Sequence, residues 1–127
     1  HPLFDKYNID LVFSSDNHNY QRTFPLKYNS DGDSSNPIIT DRNQTKYQGD
    51  QSGQIFLITG TAGRSHYEIK EQAPFVVKQD DQHFGFLNLD INGKTIKGTF
   101  YANEPQSNNY QYVNYKNNII DQFTFSK

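Results

Sequence analysis

The chain has 127 residues, 12 Lys and Arg against 14 Asp and Glu, and only 33% of its residues in the apolar set. That length fits one small domain or part of a larger one, and a net charge of −2 supplies no field strong enough to gather nucleic acid or an anionic membrane surface. With no cysteine at all, a disulfide framework, a thiolate metal site and a cysteine nucleophile are excluded.

Uninterrupted apolar runs stop at four or five residues, as in Ile55-Phe56-Leu57-Ile58, too short for a membrane span or a signal-peptide core. No membrane span and no nucleic-acid partner are expected. The absence of methionine, with His1 in first place, reads as a processed or excised piece, so a site assembled from distant parts of a parent would be only partly represented. Tyr and Phe contribute 9 and 10 residues, and this aromatic richness, with leucine scarce and Asn and Gln abundant, favours strands over helices. So few aliphatic residues leave independent stability to aromatic packing or to segments outside the chain.

In chain order, Leu3, Phe4 and Tyr7 lie at helical spacing behind Pro2, which a first turn tolerates. Residues 2–7 therefore read as the tail of a helix closed by Asn8. Residues 9–14 form a compact apolar run of the kind expected for a strand buried on both faces. From about 28 to 53 the chain is crowded with Ser, Asp, Asn, Gly and Gln, a long polar excursion with one short strand at Pro37-Ile38-Ile39-Thr40. Within it, Asp31-Gly32-Asp33 has its glycine in the wrong place for a calcium loop, and Asn43-Gln44-Thr45 is an acceptor sequon for N-glycosylation.

Residues 54–60 are a second strong strand, ending in Gly60-Thr61-Ala62-Gly63, where the backbone needs positive φ or a close approach. Three further strands are predicted at 84–90, 95–101 and 121–125, the first two joined by a type I′ turn at Asn92-Gly93. The C-terminal half is thus an antiparallel meander, with a loop at 103–118.

Chemistry concentrates in Asp16-Asn17-His18-Asn19-Tyr20-Gln21-Arg22, directly after the first apolar strand. Loops at the C-terminal ends of strands are where open α/β sheets bind substrate. In an extended loop, Asp16 and His18 point the same way and could face one ion; on spacing alone a polar turn is the simpler reading of the same letters. Three other groups carry candidate chemistry. His66 follows the glycine turn, where an exposed loop histidine is the simpler reading, Arg64 is within reach of a phosphate but reads as a solvated cation, and Asp80, Asp81 and His83 form what is more simply a polar turn.

The run Pro2-Leu3-Phe4-Asp5-Lys6-Tyr7-Asn8-Ile9-Asp10-Leu11-Val12-Phe13, followed by Asn17-His18-Asn19-Tyr20-Gln21-Arg22, resembles the last metal motif of calcineurin-like metallophosphoesterases of the purple-acid-phosphatase-like branch. That motif reads Gly-His-x-His-x-Tyr-Glu-Arg. The likeness continues in order through Ile55-Phe56-Leu57-Ile58-Thr59-Gly60-Thr61-Ala62-Gly63, Phe84-Gly85-Phe86 and Asp121-Gln122-Phe123-Thr124-Phe125.

The resemblance implies an α/β fold in which residues 1–127 are the C-terminal half of a metallophosphoesterase αββα sandwich, mostly antiparallel β within this segment. It further implies a parent enzyme that hydrolyses phosphate esters by a metal-bound hydroxide, using two divalent or trivalent ions of Fe, Zn or Mn. His18 matches a metal ligand of the motif, while Tyr20 and Arg22 match its Tyr and Arg and read as structural neighbours rather than catalysts. Departures are also plain: Ser15-Asp16 stands where the motif has Gly-His, and Gln21 where it has Glu. Aspartate can ligate a hard or borderline cation with a different reach, so Asp16 is the second metal candidate. The earlier motifs, Asp-x-His, Gly-Asp-x-x-Tyr and Gly-Asn-His, occur nowhere in the chain. The isolated chain is therefore expected to be inactive and to need the N-terminal half of the domain as its partner. The alternative is a degenerate or structural extracellular β-module, and an extracellular or cell-surface location is expected for either.

Overall fold

One short helix and ten strands make up the regular structure of the residues that the computed structural model describes, 1–32, 35–49, 53–102 and 118–127. Helix α1 (Pro2–Lys6) begins with proline in its first turn, where a missing N–H is harmless, and Asn8 just beyond it takes a positive φ of 50°. The strands are β1 (Leu11–Ser14), β2 (Tyr20–Thr23), β3 (Leu26–Lys27), β4 (Ile38–Ile39), β5 (Lys46–Gln48), β6 (Ile55–Thr59), β7 (Val76–Asp80), β8 (Gly85–Asn92), β9 (Thr95–Ala102) and β10 (Ile119–Ser126).

Two four-stranded sheets have the orders β1-β6-β2-β7 and β5-β10-β9-β8, and β3 and β4 form a separate ribbon. In the first sheet β1 runs parallel to β6, with Leu11 opposite Ile55, while β2 lies antiparallel to both β6 and β7. In the second, β8, β9 and β10 are the expected antiparallel meander, extended by β5 running parallel to β10 with Tyr47 opposite Phe125.

Alternation along the strands sends Phe123 and Phe125 of β10, Phe100 and Ala102 of β9, Tyr47 of β5, Tyr20 of β2, and Ile55 and Leu57 of β6 into one buried cluster. Aromatic rings thus supply most of the volume that the shortage of leucine withholds. On the opposite face of β6, Phe56 meets the His1 ring at a centroid distance of 5.2 Å and Phe4 of α1 at 6.0 Å, so the helix covers that side.

Four expectations are corrected. The 9–14 run is not a strand buried on both faces: β1 is an edge with β6 as its neighbour, and Phe13 is 47% exposed. The 28–53 excursion holds two strands rather than one, because β5 carries a single inward apolar residue, Tyr47, and looks polar in sequence. Three strands, β2, β3 and β7, lie where none was expected; in β2 the inward side chains include an arginine, which hides its alternation. The β8–β9 turn has only Gly93 at positive φ, 57°, the pattern of type II′ rather than I′, which needs positive φ at both central residues. Most of the expected 103–118 loop, and Asp33 in the acidic stretch, lie outside the described residues.

Candidate metal-binding loop

Five residues, 15–19, carry the chain from the end of β1 to the start of β2. They cross the C-terminal end of β6 at Gly60, whose N–H donates to the Asn19 carbonyl at 3.0 Å. A β-carbon at position 60 would collide with the Asn17 carbonyl, so glycine here lets the loop lie on the strand end. This is the close approach expected of the 60–63 turn, and Gly63 supplies the positive φ, 117°.

His18 is held by one short segment, residues 65–67. Its Nδ1 lies 2.9 Å from the Ser65 carbonyl oxygen, its own carbonyl accepts the Tyr67 N–H at 3.0 Å, and its ring stacks on that of Tyr67 at 4.2 Å with a 12° interplanar angle. A carbonyl oxygen can only accept, so the proton must sit on Nδ1. In the neutral ring, Nε2 is then left with a bare lone pair, the form in which imidazole ligates a metal, and a carbonyl holding the other nitrogen is the usual support of such a ligand.

Asp16 lies in the same loop and is exposed. Among the described residues, no group of three or more His, Cys, Asp or Glu side chains comes together to hold a metal ion. Of the two candidates, His18 is the one whose ring is oriented by a hydrogen bond and a stacked neighbour.

Tyr20 and Arg22, two and four residues further on, point the other way, into the interior between the sheets. Arg22 is 1% exposed. Its Nε donates to Asp121 Oδ2 at 2.6 Å and its Nη2 to Asp121 Oδ1 at 3.0 Å, a two-pronged pairing. Nη1 donates to the Tyr47 hydroxyl at 2.6 Å and Nη2 also to the Gln44 carbonyl at 2.8 Å. The guanidinium lies 4.9 Å from the centre of the Phe123 ring. Tyr20 donates its hydroxyl to Asp121 Oδ2 at 2.7 Å and stacks on Phe100 at 4.1 Å. Burial alone would pull the Arg22 pKa down, but the hydrogen bonds and charge of Asp121 outweigh it and raise it above the ordinary arginine value. Burial, reinforced by the Asp121 charge, pushes the Tyr20 hydroxyl far up, and burial also raises Tyr47 against the opposing pull of Arg22. These groups pair with one another and tie β2 to β5 and β10, the structural role expected of Tyr20 and Arg22.

Behind the 65–67 segment stands the turn between β7 and β8. His66 is half-buried rather than a free loop histidine: its Nε2 donates to the His83 carbonyl at 2.9 Å and its ring packs on Phe84 at 4.4 Å. His83 Nδ1 pairs with Asp80 Oδ2 at 2.8 Å, and Asp81 accepts the Ile69 N–H at 2.7 Å. That backbone N–H, helped by the Gln82 amide, holds the Asp81 carboxyl below the usual range. Arg64 is exposed.

Sequence reasoning missed Asp121, although its place in phase with Phe123 and Phe125 marks it as an inward acid that needs a cation. It also missed Ser65 and Tyr67, for which no local pattern gives a signal, since they meet His18 only through the crossing of two loops.

No family model matches the chain. It is 26% identical to an uncharacterized protein of Mycobacterium tuberculosis over 99% of this chain and 29% of that protein. It is 29% identical to a probable inactive purple acid phosphatase of Arabidopsis thaliana over 68% of this chain and 13% of that protein. In structure it is similar to a purple acid phosphatase isolated from yellow lupin (Lupinus luteus) seeds, with a TM-score of 0.74 and 22% identity over 98% of this chain and 19% of that one. The chain thus spans less than a third of each of these proteins.

Proposed function

From a fold shared with a segment of a purple acid phosphatase, and a sequence similar to purple-acid-phosphatase-like proteins, we propose that this chain is the C-terminal part of a metal-dependent phosphoesterase. In this reading it contributes His18 to a two-metal centre whose other ligands come from polypeptide outside it. The observation that carries the reading is the Nδ1 hydrogen bond of His18 to the Ser65 carbonyl, which leaves Nε2 free to ligate. When bound, the metal ions supply water activation and charge neutralisation for phosphoryl transfer. The chain's own residues hold the imidazole in the ligating tautomer, seat its loop on Gly60 and keep that loop in register through β2.

The partner is the remainder of the parent domain, and the edge of β1 is a fitting seam for it. Among the described residues β1 has a strand on one side only, and Phe13 of β1 is exposed, as are Leu3, Tyr7 and Ile9 before it. The substrate is a phosphate ester bound by the parent, and the isolated chain is inactive. An extracellular or cell-surface location is supported by the exposed side chains of Asn43 and Thr45 in the sequon, and a mobility shift on endoglycosidase treatment of the secreted protein would test it.

The second reading, a degenerate module that binds no metal, is favoured by the exposed aspartate at position 16, where the motif has a histidine. Metal analysis of the longer polypeptide decides between the two. Two equivalents per chain, an activated aryl phosphate hydrolysed, and both lowered by His18→Ala support the first; unchanged metal content in that variant sinks the assignment of His18.

A further inference from the structure

We infer that Tyr67 is a positioning residue for the His18 imidazole, and that the segment 65–69, braced by the β7–β8 turn, is the cradle that presents Nε2 of His18 outward. The inference deepens the proposed function and rests on it for the identity of the ligand as a metal ion, but not for the orientation of the ring.

All three fixed contacts of His18 described above, to its ring nitrogen, its carbonyl and its ring face, come from residues 65–67. A single hydrogen bond leaves an imidazole free to tilt about the bond axis; a ring stacked on one face at 4.2 Å with a 12° tilt removes that freedom. Tyr67 is itself 51% exposed, so it buries too little to be explained as core. Its phenol oxygen makes no hydrogen bond with a described residue, so the stacking surface is what the site uses.

The cradle in turn is anchored at both ends away from His18. His66 donates to the His83 carbonyl, and the Ile69 N–H is taken by Asp81. A loop of this length without regular structure, 61–75, would otherwise leave Ser65 and Tyr67 loosely placed. The Asp80, Asp81 and His83 turn thereby acquires a purpose as the brace behind the ligand.

The test uses the longer polypeptide, with zinc(II) affinity read by chelator competition, melting temperature as a structural control, and the His18 tautomer read from imidazole ¹⁵N shifts. Tyr67→Leu is expected to weaken zinc binding by roughly 10–100-fold, the range for loss of an orienting partner, with the melting temperature nearly unchanged. Tyr67→Phe, which keeps the ring face, is expected to restore wild-type affinity. The wild type should carry its imidazole proton on Nδ1, and Tyr67→Leu should give a mixture of tautomers. Undiminished zinc affinity in Tyr67→Leu, or a wild-type proton on Nε2, overturns the inference. A wild type that binds no zinc but keeps the Nδ1 proton, lost to a mixture in Tyr67→Leu, overturns the metal reading and leaves the positioning role standing.

Discussion

The seven residues 16–22 serve two regions with opposite polar economies. In the interior, Tyr20 and Arg22 meet Asp121, Tyr47 and the Gln44 carbonyl, and each nitrogen of the guanidinium donates to an acceptor within 3.0 Å. In the loop, His18 has one nitrogen tied to Ser65, and the other makes no hydrogen bond with a described residue. The difference separates holding from acting: a buried charge is tolerable only when fully paired, and a ligand is useful only when one atom is left unpaired. Adjacent letters of one motif divide these duties because β2 begins between them.

Substitutions should pull the two regions apart. The largest effect is expected for Asp121→Ala, which strands the Arg22 charge in the interior and should cost about 3–5 kcal/mol in urea unfolding. Asp121→Asn, which keeps one acceptor, should cost less. A loss for Asp121→Ala no larger than for an exposed acid would mean that the pair is hydrated.

Raising the pH strikes the same region. Tyr20 and Tyr47 both stay protonated in the fold above the ordinary value of 10.0, while the unfolded chain ionises there. The native state then binds more protons than the unfolded one, so stability falls with increasing pH. The slope should approach about 1.4 kcal/mol per pH unit for Tyr20 from pH 10 upward, with a further contribution in the same direction from Tyr47. Tyr47→Phe should make it shallower, and a flat stability profile between pH 10 and 11 would contradict the buried phenols.

Gly60→Ala bears on the boundary between the two. The added methyl meets the Asn17 carbonyl, an overpacking expected to cost about 1–3 kcal/mol, and by lifting the loop it should also lower metal affinity in the longer polypeptide. His18→Ala is the smallest in stability, under about 1.5 kcal/mol for one half-exposed hydrogen bond, yet under the proposed function it should lower the metal content of the longer polypeptide. Comparable unfolding losses for His18→Ala and Asp121→Ala would erase the distinction between the regions.

Much of the fold is legible in the residues. The apolar runs at 9–14 and 54–60 and the alternation at 84–90, 95–101 and 121–125 all became strands, because burial of one or both faces writes itself into period and composition. What was not legible depends on partners far along the chain. β2 reads as polar because its inward Arg22 is neutralised by an acid 99 residues away. Likewise β5 reads as loop because a single tyrosine faces in, and β1 reads as interior although its outer edge is unpaired within the described residues. At the site, His18 is visible through its motif, but the tautomer that gives it meaning is set by Ser65, 47 residues on, where two loops happen to cross.

The strand order of the second sheet has a consequence for biogenesis. Its last strand in sequence, β10, lies inside the sheet between β5 and β9, so during synthesis the neighbours on either side emerge from the ribosome before the strand that joins them. Until residues 119–126 arrive, β5 and β9 each present an open ladder to other chains, and Arg22 has no carboxylate to meet. Folding of this region is therefore a late, concerted event of high contact order, and nascent chains stalled short of Ile119 should depend on chaperones to stay dispersed.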